Sequence, residues 1–143
     1  MALALRWIHV VAAITWVGGM LFIALVLVPV ARRLEDAALR TRLIQAAGER
    51  FRVIAWSAFG IMVATGLGNL WFRPYLLEAP RLHCKLALVA ASLALGGLHD
   101  FVLGPRAGRP GAPPAARVRA AWIARVHALV ALAIVLLGLS LRG

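Results

Sequence analysis

The stretch Leu3–Val30, LALRWIHVVAAITWVGGMLFIALVLVPV, decides the fold. It runs 28 residues with one arginine, one histidine and no acid near its middle. A helix crosses the ~30 Å hydrocarbon core of a bilayer with ~20 apolar residues, so this run is long enough to span it. Its length also exceeds the apolar core of a cleavable signal peptide, and no A-x-A-like site follows. It reads as a retained first span.

Three further runs of the same kind follow, about 51–72, 82–103 and 120–141. The whole chain of 143 residues is 63% hydrophobic, with a mean hydropathy of +0.89. A water-soluble domain of that length needs a wetted surface and sits nearer half apolar. The expected architecture is all-α: a single domain, 1–143, forming an integral membrane four-helix bundle. Pro29, Pro74, Pro80 and Pro105 punctuate the span ends, where a missing backbone donor matters least. Ser57, Thr65 and Asn69 of the second span are expected to face other helices. Gly18–Gly19, Gly66, Gly68 and Gly96–Gly97 mark places where helices approach closely.

The connections differ in charge. Residues 31–50 hold Arg32, Arg33, Arg40, Arg42 and Arg50 against Glu35, Asp36 and Glu49. Leu34, Leu43, Ala47 and Phe51 recur at roughly helical spacing, which predicts an amphipathic extension of a span. Residues 106–119 hold four arginines, no acid and a Gly/Pro-rich stretch from Gly108 to Pro114, which predicts a flexible loop. Both arginine-rich connections lie on one side, and the positive-inside rule makes that side cytoplasmic. The topology is then N-out/C-out in a bacterial-type inner (plasma) membrane. The net charge of +11 is explained by these loops and anionic headgroups, and nucleic acid is not an expected partner. Cys84 is the only cysteine, which excludes an intramolecular disulfide.

Four histidines, His9, His83, His99 and His127, lie in or beside the spans. Ionisable groups at membrane depth are expensive and mark functional positions, and imidazole is the commonest metal ligand. At 1.5 Å per residue, His9 and His99 sit ~8 Å and His127 ~10 Å from the nearer span end. Two histidines lie toward each face, each pair drawn from two helices, which suits a cofactor clamped between helices. His83 and His99 lie on nearly opposite faces of their helix, whereas Lys85 and His99 share one. His9, Ala13, Trp16 and Met20 form one stripe. The expected inward set is His9, Lys85, His99 and His127, with Lys85 and Asp100 as candidates for handling protons. Cys84 and Met20 are soft donors that suit copper. No hydrolase, transferase or phosphate-loop motif is present.

Several short runs resemble a known family. Arg6-Trp7-Ile8-His9 and Trp16-Val17-Gly18-Gly19 are similar to the first span of CopD-type copper-resistance membrane proteins. Phe51-Arg52 with Thr65-Gly66 is similar to their second span. His83-Cys84-Lys85-Leu86 and His99-Asp100-Phe101-Val102-Leu103-Gly104-Pro105-Arg106 resemble the third span of short, four-span members. The chain is similar also to HemJ-type haem-binding membrane proteins, where the resemblance places ligands at His9 and Lys85 and a histidine at His99. It departs from both families at His127, where asparagine is expected, and it lacks the aromatic-rich end of the HemJ first span.

Three functions follow as expectations. The leading one is a membrane redox protein of cytochrome b character, moving electrons through one or two haem b groups held by His9, His83, His99, His127 and Lys85. The alternative is copper uptake or resistance, with copper on the same histidines and on Cys84 and Met20. The third is an interaction subunit without a cofactor. Beyond the lipid bilayer, expected partners are a quinone, a redox partner protein and a second copy of the chain.

Overall fold

The computed structural model describes residues 2–109 and 111–140. It is all-α. Among the described residues, four helices are long and apolar enough to cross a membrane: α1 (Leu3–Ala31), α2 (Ala37–Trp71), α3 (Pro80–Ala107) and α4 (Pro114–Leu139). The chain divides into two compact units, Met1–Pro80 and Arg81–Gly143, each an antiparallel helical hairpin. A short 3₁₀ turn, Pro74–Glu78, links α2 to α3. Large apolar side chains such as Ile14, Leu25 and Leu129 remain about two-thirds exposed, as lipid-facing residues must.

The α1–α2 hairpin closes through side chains of unequal size. Trp16 packs tilted on Phe59 with ring centroids 5.1 Å apart, and Trp56 meets Phe59 edge-on at 6.1 Å. Around them Ala12, Val17, Ala55, Ala58 and Met62 are buried. Gly19 leaves the space into which the Phe51 ring edge fits, and Gly68 receives Leu5. Gly18, beside Gly19, meets nothing, so of that pair only Gly19 is a packing residue.

α2 begins well before its apolar run. Asp36 caps it, its Oδ1 accepting from the amides of Ala38 (2.7 Å) and Leu39 (3.1 Å). Such a cap contributes about 0.5–2 kcal/mol by satisfying helix-end donors. From there the helix runs unbroken for 35 residues, ~52 Å, far beyond the bilayer core. The predicted amphipathic extension is therefore a rigid continuation of the second span, carrying Arg40, Arg42 and Arg50.

The α3–α4 hairpin is held by Leu82, Ser92, Gly96, Ala120, Ala131 and Ile134, all buried. Its connection is shorter than the sequence suggests. α3 persists to Ala107 and α4 starts at Pro114, where a proline at the first helical position is well tolerated. Arg106, Arg117 and Arg119 thus stand on helix ends rather than in a loop. Leu141 lies outside the described residues.

Pro29 and Pro105 lie inside α1 and α3, two residues from each helix end, and both helices pass through them. Each is preceded by a π-helical segment, Ile23–Leu27 and Leu98–Leu103. The wider turns are closed by bonds from the Val28 amide to the Ile23 carbonyl and from the Gly104 amide to the His99 carbonyl. A proline ring clashes with the carbonyl four residues earlier. One inserted residue swings that carbonyl aside, so the helix continues where an α-helix would break.

Candidate metal-binding imidazoles

His9 projects from α1 onto α2. Its Nδ1 lies 2.8 Å from the Met62 carbonyl oxygen and 3.0 Å from Thr65 Oγ1. A carbonyl can only accept, so Nδ1 carries the ring proton and donates it. Thr65 agrees with that assignment, because its hydroxyl is already given to the Ile61 carbonyl at 2.6 Å. In the neutral ring this is the tautomer whose lone pair is on Nε2. Gly66 makes the close approach possible, since a Cβ there would stand 3.3 Å from His9 Cε1.

His99 is set in the same way by a different partner. Its Nδ1 lies 2.8 Å from Asp100 Oδ1, with both side chains about a quarter to a third exposed. A carboxylate oxygen accepts, so Nδ1 again bears a proton, and in the neutral ring the lone pair is on Nε2. The pair sits inside the π-helical segment of α3, where the widened turn changes the directions of successive side chains. Metal-ligating histidines are characteristically anchored in this manner, with the far nitrogen bonded to a carbonyl or carboxylate.

His127 differs. Its Nε2 lies 2.8 Å from Ser92 Oγ, and Ser92 is almost wholly buried. A hydroxyl can donate or accept, so this bond does not choose a tautomer. The Nε2 position is nevertheless occupied by a hydrogen bond. Gly96 provides the recess, because a Cβ there would lie 3.0 Å from His127 Cε1. Lys85 is half-buried, and its Nζ reaches Gly138 on α4, where a Cβ would be 3.2 Å away. Asp100 and His99 are near enough to act electrostatically on the His127 ring.

The remaining sequence candidates divide by exposure. His83 and Cys84 are exposed at the start of α3, and Met20 is half-buried on α1. Ser57 is exposed, whereas Thr65 is buried against His9. The Met62 carbonyl, Ser92 and Gly138 carry no mark in the sequence that ties them to a site. Among the described residues, no group of three or more His, Cys, Asp or Glu side chains is close enough together to hold one ion.

Residues 45–141, about two-thirds of the chain, match the family described as Copper resistance protein D, CopD. The chain belongs to the CopD family. It is also 31% identical over 140 residues to an uncharacterised protein of Aquifex aeolicus (strain VF5), covering 95% of this chain and 92% of that protein. No solved structure matches it. The matched region of this CopD-family protein includes Thr65, Lys85, Ser92, His99, Asp100 and His127, while His9 precedes it. With four apolar helices, this CopD-family chain is a multi-pass membrane protein.

Proposed function

We propose that the protein takes up copper and passes it through the membrane, using the Nε2 lone pairs of His9 and His99. The observation that carries this reading is the Nδ1 anchor on each ring, to the Met62 carbonyl and to Asp100. Membership of the CopD family favours copper as the metal. Copper is cargo here, held by few donors on each hairpin. His83 and Cys84, exposed side by side, supply an imidazole and a soft thiolate suited to copper(I) where α3 begins. Met20 adds a thioether on α1.

The second reading is a haem b protein, and the same anchored imidazoles favour it, since axial haem ligands are oriented alike. Bound haem would supply one-electron chemistry. His9, His99 and Lys85 fit the donor set. His127 fits it less well, because Ser92 must release Nε2 before that nitrogen can ligate. In this reading Asp100 would hold a proton, and Lys85 would do so where it does not ligate.

Metal analysis and an absorbance spectrum of the purified protein separate the readings. Bound copper without a Soret band is the expected result. Asp100→Ala is expected to weaken copper binding by about 10- to 100-fold, the usual effect of losing an outer-shell partner. Iron with a Soret band would establish the second reading instead. Folded protein that takes up neither metal contradicts both and leaves an interaction subunit.

By the positive-inside rule, we infer that the arginine-rich connections face the cytoplasm of a bacterial-type inner membrane. A cysteine at Gly111, in the Cys84→Ser background, should react with a membrane-impermeant thiol reagent only after the cells are opened. Labelling in intact cells would reverse the topology.

A further inference from the structure

We propose that the groove between α1 and α2 holds one acyl chain of an anionic phospholipid, with Arg50 at the phosphate. The groove has a volume of ≈ 580 Å³ and lies wholly on the first hairpin. Trp7, Val11, Val53, Ile54 and Ile61 give it apolar walls, and Arg50 is its one charged lining residue. Thr15 and Ser57 also line it, the hydroxyl of Thr15 donating to the Val11 carbonyl at 2.9 Å within its own helix.

Two features choose the occupant. The first is length. Along α2 the lining runs from Arg50 to Ile61, eleven residues or ~16 Å. Half of a ~30 Å hydrocarbon core is about the same, so the groove is as deep as one leaflet. The second is charge at the correct end. Arg50 stands where the apolar run of α2 begins, at headgroup level, and the helical extension behind it adds Arg40 and Arg42 against a single acid, Glu49. A chain lying in the groove therefore brings its phosphate to a guanidinium, which binds phosphate through paired donors. A zwitterionic lipid brings a compensating cation to the same place and gains less.

The test uses the full-length protein in bilayer discs of equal phosphatidylglycerol and phosphatidylcholine, with retained lipids counted by native mass spectrometry after transfer to detergent. The wild type should keep about one phosphatidylglycerol per chain, enriched about fivefold, the preference expected for one basic residue at a charged surface. Arg50→Gln should retain the two lipids equally. Val11→Trp and, on the opposite wall, Val53→Trp fill the groove and should each lose the retained lipid with Arg50 intact. Equal retention by the wild type overturns the proposal. So does enrichment that survives Arg50→Gln, retained lipid in both tryptophan variants, or a second copy of the chain found in place of lipid. None of these outcomes depends on the metal.

Discussion

Replacing His9 by alanine is expected to lower copper affinity at least about 100-fold while leaving the first hairpin folded. The size follows from what is removed. Loss of a group that merely orients a ligand weakens a metal site by about 10- to 100-fold, and loss of the donor itself is more severe. The fold tolerates the change because His9 leaves no stranded donor behind. The Met62 oxygen is a backbone acceptor within α2, and the Thr65 hydroxyl remains bonded to the Ile61 carbonyl. The hydrogen bond to the Met62 carbonyl, worth about 1 kcal/mol net, is lost together with the packing of the ring on Gly66. Thr65→Val supplies the contrast. It deletes one of two acceptors for Nδ1, but the Met62 carbonyl still fixes the tautomer, so affinity should fall by only a few-fold. Copper titration of both variants, with thermal unfolding in the same detergent, reads ligand loss apart from fold loss. Equal affinities for His9→Ala and wild type would remove His9 from the site.

Gly96→Leu is expected to destabilise the second hairpin most. The His127 ring occupies the place where even a methyl group would be tight, at 3.0 Å. A larger side chain must push the ring away and break its bond to the buried Ser92 hydroxyl. Overpacking of this kind costs about 1–3 kcal/mol, and the lost hydrogen bond adds about 1 kcal/mol. Gly96→Ala should have a smaller effect, since the ring needs to yield only a few tenths of an ångström. Gly60→Leu is the control: nothing lies within 4 Å of its Cβ position, and leucine suits a helix better than glycine. Thermal unfolding should order the variants as Gly60→Leu near wild type, then Gly96→Ala, then Gly96→Leu. A Gly96→Leu protein as stable as wild type would mean that His127 is not seated in this recess.

The spans were legible because hydropathy over twenty residues is a large, additive signal that tertiary structure cannot reverse. Helix ends were harder. α2 starts at Asp36 and α3 continues through Pro105, because a side-chain cap and a π-helical turn rescued backbone groups that composition assigned to loops. Helical spacing grouped His9 with Trp16 and Met20, and all three lie on the less exposed side of α1. It could not show which nitrogen each ring engages. That depends on acceptors far away in sequence, the Met62 carbonyl for His9 and Ser92 for His127. Gly66 and Gly96 were visible as sites of close approach and Gly138 was not, yet all three share a more particular role. Gly66, Gly96 and Gly138 each make room for an ionisable side chain from the facing helix rather than for a second backbone. His83 and Cys84 illustrate the opposite case, since sequence adjacency to Lys85 says nothing about exposure.

Copper binding as proposed requires two imidazole rings held with the proton on Nδ1 and the lone pair on Nε2. Nitrogen-15 NMR of the histidine-labelled protein reports that assignment ring by ring, and copper(I), being diamagnetic, can be added during the same measurement. His9 and His99 should begin as Nδ1-protonated rings, and only their Nε2 resonances should move strongly as copper is bound. Rings protonated on Nε2, or Nε2 signals unmoved by copper that the folded protein does bind, would contradict it.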